Sequence, residues 1–235
     1  MAWQVPKVWE DGDCWIIGGG PSIVEQFNIP KEVVRQVFAG KATLETYAPY
    51  MEAIHDKHVI GINAAYVLGD WLDMVFFGDI KFYLMNRFRL AEFGRLKVSS
   101  HPKVNTPQYR DDKIKYLSRD KNHVKGISPH NDKVSWNGNS GAAAISLAAH
   151  TGVKRIYLLG FDMALNEEKQ QQHWHNHYVK QNNGRVAAKR LPFARHLLGF
   201  PIIATDAKAR GIEIINVNPN SNINEFEKVN LKDII

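Results

Sequence analysis

A short apolar run that stops abruptly in three glycines, Cys14-Trp15-Ile16-Ile17-Gly18-Gly19-Gly20, followed by Pro21-Ser22, constrains this chain more than any other segment. The run is brief, rich in β-formers and ended by glycine, so it predicts a buried strand. Glycine tolerates positive φ and leaves its amides uncovered, and Pro21 or Ser22 suits the opening of a helix. A strand that enters a helix through such a turn can present N–H groups to an anion. The pattern is not the dinucleotide fingerprint, because Ile23 stands where the third glycine belongs. Nor is it a P-loop, because no Gly-Lys-Ser/Thr follows.

The same rhythm of apolar run and polar stop recurs along the chain. Val59-Ile60-Gly61-Ile62 ends at Asn63, and Asp73-Met74-Val75-Phe76-Phe77 ends at Gly78-Asp79. Arg155 to Leu159 ends at Gly160-Phe161-Asp162, and Ile212 to Val217 ends at Asn218-Pro219-Asn220-Ser221. Leu96 to Ser99 and Lys115 to Leu117 are weaker strand patterns. Helical patterns lie at Phe82 to Phe93, at Phe193 to Arg210, and in the Ala-rich stretch Ser140 to His150. Asn139 or Ser140 caps the last of these, and Gly152 follows its end. Strands alternating with helices predict an α/β fold, a mostly parallel sheet with helices on both faces. We expect a single domain over residues 1–235. Residues 164–192 are polar, His-rich and Gln-rich without periodicity, and read as a lid inserted at the working edge.

In a parallel sheet all carboxyl ends share one edge, and ligands of such folds bind outside it. The strand ends therefore nominate Gly18, Gly19, Gly20, Pro21, Ser22, Asn63, Asp79, Gly160, Asp162, Asn220 and Ser221 as ligand contacts. A second small polar turn, Trp136-Asn137-Gly138-Asn139-Ser140-Gly141, adds Asn139, Ser140 and Gly141. Asp11-Gly12-Asp13 superficially matches an Asp-x-Asp motif, but it precedes the first strand, at the wrong edge, and reads as a turn.

Bulk properties narrow the partners. Over 235 residues, 44% apolar and 23% charged residues describe an ordinary folded protein. The net charge is +6, yet the basic residues are scattered with no block of five or six. That pattern excludes a polybasic nucleic-acid tail and suits attraction of a phosphate-bearing ligand. Cys14 is the one cysteine, so no disulfide framework or multi-cysteine metal site is expected within the chain. There is no signal-peptide pattern and no run of about 18 apolar residues, so we expect a cytoplasmic protein without a transmembrane segment.

The densest chemical cluster is His173-Trp174-His175-Asn176-His177-Tyr178. Histidines at alternate positions of one strand rarely close a single tetrahedral zinc site, so no metal is expected on them. An imidazole titrates near neutrality and suits a general base.

Taken in order, these stretches resemble bacterial family 42 sialyltransferases and the superfamily that includes archaeal hydroxymethylpterin diphosphokinase-like proteins. The carriers are Ile-Gly-Gly-Gly-Pro-Ser-Ile at 17–23, Asn63, Ser140-Gly141, Ile156-Tyr157-Leu158-Leu159-Gly160-Phe161-Asp162 and Pro219-Asn220-Ser221, spanning about residues 14 to 222. The resemblance implies a modified Rossmann-like transferase domain with a lid. It implies a nucleotide-sugar donor, CMP-linked by preference, and no tightly bound cofactor. Gly18, Gly20, Ser22, Asn63 and Ser140 would hold the nucleotide, and His177 beside Tyr178 would be the base, with His175 as the fallback. The acceptor is not specified, and related enzymes often assemble as homo-oligomers. The diphosphokinase branch implies instead Mg²⁺ held by Asp79 and Asp162 for pyrophosphate transfer from ATP. Two positions depart from the sialyltransferase pattern: Asn137 replaces an arginine, and Ala164 replaces a tyrosine. A non-catalytic nucleotide-binding or assembly module is the third expectation.

Overall fold

The computed structural model describes residues 2–165, 173–175 and 192–235. Its strands in chain order are β1 (Asp13–Ile17), β2 (Val59–Ile62), β3 (Met74–Phe77), β4 (Leu96–Ser99), β5 (Ile114–Tyr116), β6 (Ser118–Arg119), β7 (Lys133–Val134), β8 (Arg155–Leu159), β9 (Glu213–Asn216) and β10 (Glu227–Lys228). Eight of them form one sheet in the order β10-β9-β8-β1-β2-β3-β4-β5, and β6 pairs with β7 separately. All these pairings are parallel. From β1 the chain steps outward through β2 to β5, then resumes on the other side of β1 with β8. The direction of winding therefore reverses between β1 and β8.

β1 takes the middle because it is apolar on both faces. Trp15 and Ile17 enter one packed layer, while Cys14 and Ile16 enter the other. The first layer collects α1 (Ser22–Gln26), α2 (Lys31–Phe38), a 3₁₀ segment at Leu44–Ile54 and α3 (Ile80–Glu92), through Ile23, Val37, Tyr47, Met51, Phe82 and Leu90. The second collects α4 (Ser140–His150), α5 (Phe193–Leu197) and α6 (Phe200–Ala209), through Ala142 to Ala148, Leu197, Phe200 and Ile203. Cys14 is fully buried, as a small hydrophobe should be. Burial, with Asp73 and Asp13 nearby, pushes its thiol well up.

Some boundaries differ from expectation. Residues 193–210 form two helices rather than one, split at Leu198-Gly199. Pro201, which lacks an N–H, sits in the first turn of the second, where none is needed. The helix expected from Phe82 begins at Ile80, because Asp79 caps it by accepting from the Lys81 amide at 2.8 Å. No described helix is long and apolar enough to cross a membrane. Most of the expected lid, residues 166–172 and 176–191, lies outside the described residues, and with it His177 and Tyr178.

Candidate active site

A cleft of about 630 Å³ opens at the carboxyl edge of the sheet, over the β1–β8 reversal. Strand ends supply Gly18, Gly19 and Gly20, Asn63, Asp79, and Gly160 to Ala164. The turn into α4 supplies Trp136 and Gly138 to Gly141, and α3 supplies Lys81, Phe82 and Met85. His173 and His175 lie on one side, with Phe193, Arg195 and His196. Of the residues the sequence nominates, Gly18, Gly19, Gly20, Asn63, Asp79, Asn139, Ser140, Gly141, Gly160, Asp162 and His175 are brought together in the cleft. Trp136, Lys81, Arg195, His173 and His196 also line it, and the strand ends do not nominate them.

The glycine turn does a different job from the one expected. Its amides are largely spent on β8: Gly18 N–H donates to Leu159 O at 2.7 Å and Gly20 N–H to Gly160 O at 2.8 Å. Ser22 N–H donates to Asp162 Oδ1 at 3.1 Å. A Cβ on Gly20 would land on the Asp162 carboxylate, and one on Gly18 would sit 2.7 Å from Gly160 O. The glycines thus let two turns close on each other. Pro21 and Ser22 do not line the cleft, and α1, only five residues long, has no side-chain cap.

Asp162 is the fastener. Its carboxylate accepts from Ser22 N and Ser22 Oγ and from Asn218 Nδ2 at 2.8 Å, tying the β1, β8 and β9 turns together. Burial raises its pKa to about 6 against the pull of the Ser22 hydrogen bonds. Both its oxygens are engaged, and among the described residues no group of three or more metal-ligating side chains includes Asp162 or Asp79. Asn220 and Ser221 also need correction as ligand contacts, because neither lines the cleft. Ser221 is buried beneath it, donating to Phe161 O at 2.7 Å and accepting from Asn216 Nδ2 at 2.8 Å. Asn220 is exposed on the turn that folds back under Phe161.

The ligand-facing polarity comes from β2 and α4. Asn63 holds a left-handed backbone (φ 50°), and its buried Oδ1 has no donor among the described residues. Asn139 caps α4, accepting from Ala142 N–H at 2.8 Å, which leaves Ser140 and Gly141 at the cleft wall. Asn137, where the resemblance has arginine, is buried away from the cleft. Its carboxamide donates to Gly126 O and Ser135 O and accepts from Gly126 N–H at 2.7 Å. Gly199 packs so closely that a Cβ there would be 2.8 Å from the Asn137 side chain. Among the described residues, the lysine and arginine that line the cleft are Lys81 and Arg195.

The His-Trp-His segment anchors on the carbonyls of the glycine turn. Trp174 N–H donates to Gly19 O at 3.0 Å, and its indole Nε1 donates to Gly18 O at 2.8 Å, with the ring fully buried near Tyr47. His173 Nδ1 lies 3.2 Å from Gly19 O. A carbonyl only accepts, so Nδ1 carries the proton. Burial pushes the His173 pKa down to about 4, which makes the ring neutral and a weak base at pH 7. His175 stacks on His173 with centroids 5.1 Å apart.

Fold and cleft together define a doubly wound α/β protein with a cleft at the topological switch point, where ligands of such folds bind. No family model matches the chain, and no curated protein sequence matches it. Among solved structures it is similar to the MAf glycosyltransferase from Magnetospirillum magneticum AMB-1, with a TM-score of 0.57 and 14% identity over 97% of this chain. The chain spans only 37% of that protein's length. It is also similar to the monofunctional alpha-2,3-sialyltransferase Cst-I from Campylobacter jejuni (TM-score 0.53, 13% identity, 93% of this chain and 80% of that one). A third likeness is to a single-residue variant of the sialyltransferase CST-II in complex with CMP (TM-score 0.52, 14% identity, 93% and 86%). At these identities the likeness is one of fold.

Proposed function

We propose that the chain is a sialyltransferase-like glycosyltransferase that takes a nucleotide-activated donor, CMP-linked by preference, in the cleft over β1 and β8. The observation that carries this reading is that Asn63, whose buried Oδ1 has no donor among the described residues, lines the same cleft as the start of α4. A buried acceptor without a donor is costly unless a ligand satisfies it, and a base amino group does so. The N-terminus of an 11-residue helix favours the phosphate. Fold likeness to a sialyltransferase solved with CMP supports the choice of nucleotide. In the reaction an acceptor hydroxyl displaces the nucleotide phosphate at the anomeric carbon. Lys81 and Arg195 stabilise the charge that grows on the departing phosphate. His177 beside Tyr178, or His175, takes the acceptor proton. Residues 164–192 act as the lid of a single Rossmann-like domain.

Thermal unfolding with CMP, CTP, UDP, GDP, ATP and NAD, each with and without Mg²⁺, tests the reading. A bound nucleotide at about a hundred to a thousand times its Kd should add about 2.7–4 kcal/mol of stability. CMP or CTP should give this shift without Mg²⁺, and Asn63→Ala should abolish it. An ATP shift that requires Mg²⁺ would move the assignment to pyrophosphate transfer, and no shift with any nucleotide would remove it.

A further inference from the structure

In the loop between β6 and β7, three side chains unused by the cleft converge. Asp120, His123 and His130 offer one ligand atom each, all within 4.8 Å of one another. We propose that they form a transition-metal site, with Zn²⁺ the fitting biological ion, independent of the nucleotide reading.

The anchor is Asp120, 3% exposed and already oriented. Its Oδ1 accepts from the Asn122 and His123 amides at 3.0 and 3.1 Å, and its Oδ2 accepts from Ser128 Oγ at 2.7 Å. Burial works to raise this carboxyl, but Ser128, the two amides and the His123 ring outweigh it and hold it below its ordinary value. A carboxylate fixed in this way is the outer-shell arrangement that orients metal ligands. His123 Nδ1 already lies 3.4 Å from Asp120 Oδ2, close to a tetrahedral edge built from bonds of about 2.0–2.1 Å. His130 stands across from His123, ring centroids 6.3 Å apart and planes nearly perpendicular. Both imidazoles are exposed, so their side chains can turn inward to close the triangle and admit an ion from solvent. Two nitrogens and one carboxylate suit Zn²⁺, Co²⁺, Ni²⁺ or Cu²⁺ rather than Ca²⁺ or Mg²⁺, and leave a position for water. An ion pair between His123 and Asp120 alone would give His130 no reason to complete the triangle.

The site also bears on the cleft wall. Val124 O accepts from Asn137 N–H at 2.9 Å, and the Asn137 carboxamide clasps Gly126 on the same loop. Asn137 leads directly into Gly138 to Gly141 of the cleft.

The test is Co²⁺ titration of the full chain followed by visible absorption, with Zn²⁺ competition and calorimetry. The exposed positions are substituted, so folding is retained: His123→Ala, His130→Ala, and exposed His58→Ala as control. One Co²⁺ per chain should bind with low-coordinate N/O bands, be displaced by Zn²⁺, and weaken about tenfold or more in either loop variant but not in the control. No saturable uptake, or uptake unchanged in both loop variants, would overturn the site.

Discussion

Gly20 and Asp162 show how closely one residue can depend on another far away in sequence. The fit leaves no room for a methyl group, so Gly20→Ala should cost about 1–3 kcal/mol or more, read from urea unfolding. Asp162 carries a pH signature. Its folded value of about 6 lies above the 3.8 of an unconstrained aspartate, so the folded state holds this proton more tightly. Stability from that source is complete below about pH 4 and lost as pH rises through 6, by about 3 kcal/mol in all. Asp162→Asn removes the titration. The variant should therefore gain on wild type by roughly that amount between pH 4 and 7, and parallel stability curves would falsify the assignment. Both residues were legible as important, but not for the right reason. The glycine turn reads as an anion cradle from sequence, because nothing local reveals that β8 carbonyls already occupy its amides.

Elements were legible where an apolar run met a polar stop. β2, β4, β8 and α4 fall where their patterns end, and Asn139 announces its helix by its own side chain. The paired helices at 193–209 were read as one, because Gly199 carries no polarity that would break the pattern. β6, β7 and β10, two residues each, are too short to leave a periodicity. The strand-end rule also nominates Asn220 and Ser221, which do not line the cleft, since it cannot foresee the turn folding under Phe161. Two element-level outcomes follow. Asn139→Ala should lower stability by about 0.5–2 kcal/mol through the lost cap of α4, and should weaken CMP binding in the same titration. Trp174→Phe keeps an aromatic side chain but removes the indole N–H that donates to the Gly18 carbonyl. It should cost about 1–3 kcal/mol and increase amide hydrogen exchange at Gly18 and Gly20.

At the scale of the whole molecule, a net charge of +6 with two cations on the cleft predicts salt-sensitive capture of phosphate ligands. Lys81→Ala and Arg195→Ala should each weaken CMP binding several-fold at low salt, with a smaller difference at high salt, measured by calorimetry. The position of β1 between β2 and β8 carries a further consequence, one of timing. Trp15 meets Val59 early, but its other neighbour, Tyr157, lies far downstream. During synthesis, one whole edge of β1 stays open until β8 has left the ribosome, and the glycine turn has no partner until Asp162 follows. Pairings of such long sequence separation form slowly, and an open apolar edge invites other chains meanwhile. Folding yield should therefore respond to translation speed and chaperones through this one seam, and the cleft should be among the last features of the nascent chain to appear.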